Sequence, residues 1–272
     1  MKSKIIGQEI LIHEVNRVFD IFKNSNAEIK PHFILTGPSG SSKTFTIKSL
    51  CQEHDFGYLE VNAAQLTKEG TSGNSLSKAL SPLQQLSGKL TVVFVDEFDK
   101  LFISGNSNDS SAHESTTGVQ NEFLKVLECD TASVFGDYGK YVNIPIKNIL
   151  FVFAGAFNGE PDIDLDRLRE IGLKTEFLGR VGLVFNSEAL SLNHLYKLLE
   201  ESPLLEKYLE LFEKVDKEKT ILDLKAHIQK GYEMNTLGAR MVNTLINQYF
   251  IKGGNLGKKE AAAITFTKKL QL

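Results

Sequence analysis

The 272-residue sequence has no tryptophan, six prolines and only two cysteines, Cys51 and Cys129. The cysteines form no CxxC pair, which excludes a zinc ribbon and argues against an oxidising compartment. His13, His32, His54, His194 and His227 show no metal-ligand spacing, and His113 lies in a polar stretch and reads as solvated. Long apolar runs are also missing. The longest, Ile149 to Phe157, is about half a membrane span. Gln8 and Glu9 stand where a signal peptide would need its apolar stretch. The expectation is a cytoplasmic chain with no membrane partner. Positive charge is not in excess either: 31 basic against 34 acidic residues give a net charge of −3, which offers no electrostatic case for nucleic acid. Lys258, Lys259, Lys268 and Lys269 in the tail read as a solvated surface. Only five of the basic residues are arginines, Arg17, Arg167, Arg169, Arg180 and Arg240. Arginine is the usual side chain for bidentate phosphate recognition, so each is worth locating.

What is present is an ordinary globular composition, 42% hydrophobic and 24% charged. A chain of this length buries about 75% of its unfolded surface and needs no staple to fold. Continuous apolar runs at His32–Thr36, Gly57–Val61, Leu90–Val95 and Asn148–Ala154 predict strands buried on both faces. Helical patterns between them, such as Thr44–His54 and Thr117–Leu127, predict a parallel sheet with crossover helices. The expected architecture is a three-layer α/β domain over residues 1–187. A small, mostly helical domain is expected over 188–272, after a hinge near Asn186–Ser187. In that second part Leu237, Met241 and Leu245 make a helical stripe, widened by Val242 and Ile246, and Ala263–Phe266 reads as a strand. The polar stretch Ser104–Thr117 has no apolar anchor and reads as a loop.

The first strand runs into Gly37-Pro38-Ser39-Gly40-Ser41-Ser42-Lys43-Thr44 and then a helix. This nearly matches the phosphate-binding pattern GxxxxGK[ST] in the strand–loop–helix setting that the pattern requires. Glycines let backbone N–H groups turn inward around a β-phosphate, and the helix N-terminus adds a positive dipole. Lys43 is then expected to reach the β and γ oxygens of ATP, and Thr44 to offer its hydroxyl to Mg²⁺. Ser42 replaces the second glycine of the pattern, and a serine fits there if its backbone is helical. About fifty residues on, an apolar strand ends in Asp96-Glu97. Adjacent acids after a strand are usually a solvated cap, but with a phosphate loop upstream they read as the other half of an ATP site. Asp96 would hold the Mg²⁺ shell and Glu97 would polarise the attacking water.

From here the chain resembles the AAA+ ATPases, and within them the ClpX and HslU group. Ile5-Ile6-Gly7-Gln8-Glu9 is similar to the family segment that packs on adenine. Asp96-Glu97-Phe98-Asp99-Lys100 is similar to the extended acidic motif. Gly118-Val119-Gln120 with Phe123–Glu128 resembles the helix after the second pore loop, and Ala154-Gly155-Ala156-Phe157 the end of the next strand. Glu176-Phe177-Leu178-Gly179-Arg180 and Leu237-Gly238-Ala239-Arg240 resemble the last two signatures. The resemblance implies that Arg180 is a finger reaching a neighbouring subunit's γ-phosphate, and that Arg240 senses the nucleotide of its own subunit. A homo-oligomeric ring, hexameric by analogy, follows from a finger acting in trans.

The departures matter as well. Lys68-Glu69-Gly70-Thr71-Ser72-Gly73 stands where the group carries Gly-Tyr-Val-Gly, so no aromatic pair grips a threaded polypeptide. No cysteine-rich zinc domain is expected, and Phe157 to Glu176 leaves no room for a peptidase-docking loop. Ala154 takes a position that is usually polar, and Asn158 is close enough to substitute. The leading expectation is an ATP-hydrolysing ring that remodels or organises an unidentified protein partner without a coupled peptidase. The alternatives are a nucleotide-gated structural ring with incidental hydrolysis and, less favoured, a DNA-acting loader ATPase.

Overall fold

The computed structural model describes residues 5–67, 73–102, 110–136, 139–213, 215–254, 256 and 267–268, with 110–116, 213 and 267–268 described by their backbone alone. The chain divides into two compact units, one of Gln8–Pro38 and Lys43–Ser187, the other of Met1–Gly7, Ser39–Ser42 and Glu188–Leu272.

The larger unit begins with helix α1 (Glu9–Asn24), whose Leu11, Val15, Val18, Phe19 and Phe22 repeat at three- and four-residue steps and are all buried. Then come β1 (Phe33–Thr36), α2 (Lys43–Glu53), β2 (Gly57–Asn62), a short α3 (Leu76–Ala79), β3 (Thr91–Asp96) and α4 (Ser110–Glu128). A hairpin of β4 (Thr131–Phe135) and β5 (Tyr141–Pro145) precedes β6 (Ile149–Ala154), and α5 (Leu165–Ile171), α6 (Thr175–Arg180) and β7 (Leu183–Asn186) complete the unit. Five strands form one parallel sheet in the order β2-β3-β6-β1-β7. The predicted α/β class and the four predicted strands are therefore present, each within one residue of its expected bounds. Their apolar runs are continuous because both faces are covered: Phe33, Ile34, Leu35, Val92, Val93, Phe94 and Val95 are all fully buried. Burying each such side chain is worth about 1.5–3 kcal/mol.

Two expectations for this unit need correction. Residues 110–117 were expected in a loop but belong to α4, whose apolar residues Val119 and Phe123 anchor it further along. Ser104 to residue 109, and the side chain of His113, lie outside the described residues. The hairpin was not anticipated. Its strands pair Thr131 with Pro145 through Phe135 with Tyr141, and only Ala132, Val134 and Ile144 are buried on its inner side. Five residues alternating between core and solvent give too short a pattern to stand out.

The other unit contains α7 (Leu192–Glu200), α8 (Pro203–Leu211), β8 (Phe212–Glu213), α9 (Lys217–Gly231), α10 (Arg240–Ile251) and β9 (Thr267–Lys268). Ser191, Ser202 and Asp216 cap α7, α8 and α9 by accepting hydrogen bonds from backbone N–H groups three residues on. The core packs Leu195, Leu199, Leu205, Leu224 and Ile228 against Val242, Ile246, Tyr249 and Phe250. The buried face of α10 is thus centred on Val242 and Ile246. Leu237 is exposed, and Met241 and Leu245 are half-buried. The expected stripe is rotated by one residue because Leu237 precedes the helix. The expected strand Ala263–Phe266 lies outside the described residues, as do Lys258, Lys259 and Lys269. The backbone of Thr267–Lys268 pairs antiparallel with Phe212–Glu213.

One buried histidine makes the larger unit acid-sensitive. His32 sits just before β1, where its Nδ1 accepts the N–H of Phe151 at 3.0 Å. Burial, with the nearby Lys30 charge adding, lowers its pKa from 6.5 to about 4. The folded state then binds fewer protons than the unfolded chain between those values, so stability is full above pH 6.5 and falls as pH drops toward 4. The loss is expected to reach about 2 kcal/mol at pH 5. His32→Asn keeps an acceptor but does not titrate. Urea denaturation at pH 7 and pH 5 should therefore show a smaller drop in stability for the variant than for the wild type.

Candidate functional site

All five strands of the main sheet run parallel, so the chain leaves every one of them at the same edge. In open α/β sheets this edge is where ligands bind. The end of β1 is pinned first. Thr36 Oγ1 donates to Asn186 Oδ1 at 2.5 Å, and the Thr36 carbonyl accepts both the N–H of Ser187 at 2.9 Å and its Oγ–H at 2.8 Å. The backbone then passes so close to Ser187 that a Cβ on Gly37, which has φ +122°, would lie 2.3 Å from the Ser187 carbonyl oxygen. Only glycine fits.

Beyond Gly37 the loop turns its amides by switching hand. Gly40 has φ +74° and Ser42 φ +71°, while Pro38, Ser39 and Ser41 keep negative φ. Alternation of this kind makes an anion-binding concavity from successive N–H groups. The Ser42 expectation is thereby corrected: the residue is left-handed, not helical. The helix begins only at Lys43, and the residue before it must reverse the chain. A non-glycine side chain in that region costs about 1–2 kcal/mol.

Lys43 folds its ammonium back over the loop, donating to the carbonyls of Gly37 at 2.7 Å and Pro38 at 2.9 Å. A cation held there, at the start of α2, is the electrostatic complement of a polyphosphate. Thr44 follows, its hydroxyl 3.4 Å from Asp96 Oδ2 at the end of β3. A hydroxyl and a carboxylate so close are hard oxygen donors suited to Mg²⁺, which keeps several waters and takes its other ligands from phosphate. Among the described residues no group of three or more His, Cys, Asp or Glu could hold a metal by itself. Glu97 is exposed with φ +55°, and its N–H donates to Asp96 Oδ1 at 2.8 Å. Cys51 on α2 is buried, which pushes its thiol up to about 12 and leaves it inert.

The remaining candidates fall in different places. Ala154 ends β6 fully buried, paired with Leu35. Asn158 is exposed with φ +58° in the following turn, and a Cβ on its neighbour Gly159 would lie 4.0 Å from Pro38 Cβ. Arg180 ends α6 and pairs with Glu128 at 2.9 Å, both side chains half exposed. In the unit that contains Ser39–Ser42, the Ala239 N–H donates to the Gly40 carbonyl at 2.9 Å, and Arg240 follows as the exposed first residue of α10. In that same unit Ile5 is half-buried, Ile6 is buried, and Gly7 has φ +75° against the His194 ring. Lys68–Ser72, the stretch aligned with a pore loop, lies outside the described residues. Nothing in the sequence marks Asn186 and Ser187 as the clasp on the phosphate loop, because their partner Thr36 is some 150 residues away.

A phosphate loop after the first strand, an acidic pair after the third and a parallel five-stranded sheet mark a P-loop nucleotide-binding fold. Residues 33–172 match the family described as "ATPase family associated with various cellular activities (AAA)". The chain belongs to this family, and it is an ATP-binding AAA+ protein of ClpX-like type. It is 29% identical over 257 residues, covering 80% of the chain, to the ATP-dependent Clp protease ATP-binding subunit ClpX 2 of Wolinella succinogenes. The match spans 64% of that relative's length. Among the described residues no helix is long and apolar enough to cross a membrane.

Ser42→Gly removes the left-handed penalty of Ser42 at the cost of a looser unfolded chain. The expected net gain is about 0.5–1 kcal/mol, read as a higher urea midpoint with an unchanged slope. An unchanged or lower midpoint would mean that the serine side chain compensates locally.

Proposed function

We propose that the chain hydrolyses ATP in a homo-oligomeric ring and uses the cycle to remodel or organise a protein partner. The observation that carries this reading is the convergence of Thr44 and Asp96, 3.4 Å apart, at the start of the phosphate-loop helix. ATP would bind with its β- and γ-phosphates against the amides of residues 37–44 and the Lys43 ammonium. Ile5 and Ile6 would pack on the adenine, as in the family segment they resemble. Thr44 and Asp96 would hold Mg²⁺, which would supply positive charge to offset the charge developing on the transferred phosphoryl. Glu97 lies one residue beyond Asp96, exposed on a left-handed turn, and orients a water for in-line attack while accepting its proton. Asn158 polarises the same region from the turn after β6. Arg240 reads the nucleotide from its own subunit.

Arg180 supplies a fixed cation to a neighbouring subunit's γ-phosphate, which makes the site complete only between copies. Heterologous contacts of that sort close into rings, a hexamer by analogy with the family. Without an aromatic pair on its first pore loop, the ring would act on its partner without pulling polypeptide through. A second reading, a ring whose assembly is gated by nucleotide while hydrolysis is slow, draws support from Ala154. This residue places a buried methyl group where a polar side chain would assist the chemistry. The cytoplasm is the expected compartment.

Glu97→Gln is expected to retain ATP but lose turnover by about 100-fold or more, and Arg180→Ala by about 10³-fold. Mixing the two inactive variants in equal amounts should restore about a quarter of wild-type turnover, since random neighbours pair an intact Glu97 with an intact Arg180 at one interface in four. Steady-state phosphate release against protein concentration reads all three. No recovery on mixing would remove Arg180 from its role in trans. Wild-type turnover equal to that of Glu97→Gln would favour the gated scaffold.

A further inference from the structure

Asp99 is the most deeply buried carboxylate among the described residues, 1% exposed, two positions past Glu97. Its Oδ2 accepts the N–H of Phe157 at 3.2 Å and lies 3.4 Å from Lys100 Nζ. Phe157 opens an unusual turn. Ala156 to Gly159 close an i to i+3 hydrogen bond of 2.7 Å, with φ +45° at Phe157 and φ +58° at Asn158. Two central residues of positive φ make this a type I′ turn, for which asparagine and glycine are suited and phenylalanine is not. Left-handed backbone at a bulky residue costs on the order of 1–3 kcal/mol and persists only where its surroundings over-determine it.

The surroundings here are Asp99 and the core. The Phe157 ring is fully buried, and a Cβ on Gly155 would lie 2.7 Å from Asp99 Oδ1 and 2.8 Å from Phe157 Cε2. Asp99, Gly155 and Phe157 thus interlock with no spare volume. The far side of the turn carries the exposed Asn158 and then Gly159, which faces Pro38 of the phosphate loop. One carboxylate therefore ties the backbone just after the acidic pair to a strained turn that carries the exposed Asn158 and brings Gly159 alongside Pro38 of the phosphate loop.

We infer that Asp99 is a positioning residue: its carboxylate holds the Ala156–Gly159 turn in left-handed form and so sets Asn158 against the γ-phosphate. This rests on the ATPase reading above. Asp99→Asn keeps an acceptor for the Phe157 N–H, whereas Asp99→Leu leaves that N–H buried without one.

The test compares kcat and KM for ATP in both variants, each on a wild-type and an Asn158→Ala background, with melting temperatures alongside. Asp99→Asn is expected to stay near the wild type. Asp99→Leu should lose about 10–100-fold in kcat with KM little changed, and should lose nothing further once Asn158 is alanine. Equal losses on both backgrounds, a loss confined to melting temperature, no effect of Asn158→Ala alone, or an Asn variant as poor as the Leu variant would each overturn the inference. If wild-type turnover proves no faster than that of Glu97→Gln, the hydrolytic reading fails, and ATP affinity then decides the matter. Weaker ATP binding by Asp99→Leu that disappears on the Asn158→Ala background upholds the role of Asp99. Affinity that ignores Asp99, or that falls equally on both backgrounds, removes it.

Discussion

Burial of both faces of a parallel sheet leaves the protein nowhere to put chemistry except at the strand ends. Phe33, Leu35, Val93, Phe94 and Phe153 are fully enclosed, so a polar group among them would lose its water with no compensation. The carboxyl ends of β1, β3 and β6 share one edge, and each passes directly into a loop that bears candidate groups: the phosphate loop, Asp96-Glu97 and the Asn158 turn. The geometry of the site is in this sense a by-product of packing. Once the strands are in register, Thr44, in the first turn of the helix that follows β1, comes within 3.4 Å of Asp96 at the end of β3.

What could be read from the sequence follows the distance over which each feature is encoded. The phosphate loop and the acidic pair are contiguous, and each sits after a run of apolar residues long enough to be unmistakable as a buried strand. The hairpin β4–β5 escaped because only Ala132, Val134 and Ile144 face inward. The start of α4 escaped because its first turns are Ser, His and Glu, with the packing residues further along. Ser42 departs from the helical expectation for a local reason: residue type favours a helical backbone there, while the loop alternates hand up to the start of α2 at Lys43. Asp99 was visible as one letter of an acidic motif. Its burial against Phe157, 58 residues away, was not, because a long-range hydrogen bond leaves no periodic trace.

Backbone strain is concentrated around this edge. Among the described residues eight non-glycines have positive φ, and Ser42, Glu97, Phe157 and Asn158 are four of them. Each lies on a loop that leaves the carboxyl end of a sheet strand. Such positions cost stability and persist because neighbouring contacts outweigh them. The clasp of Asn186 and Ser187 on Thr36 and the Asp99 bond to Phe157 are contacts of that kind. They fix the loop conformations from within the fold, and dipoles held in place are the ones that stabilise developing charge most effectively.

The clasp also bears on how the chain is made. Thr36 and the strand that secures it, β7, are separated by 150 residues, and β1 pairs only with β6 and β7. At about 5–20 residues per second, a ribosome delivers β7 roughly 8–30 s after β1. Until β6 is made the first strand has neither neighbour, and until β7 follows the glycine-rich loop beyond it lacks its clasp. The clasped form of the loop is therefore reached only when the end of the α/β unit emerges. The nascent strand must meanwhile be kept from pairing with other chains.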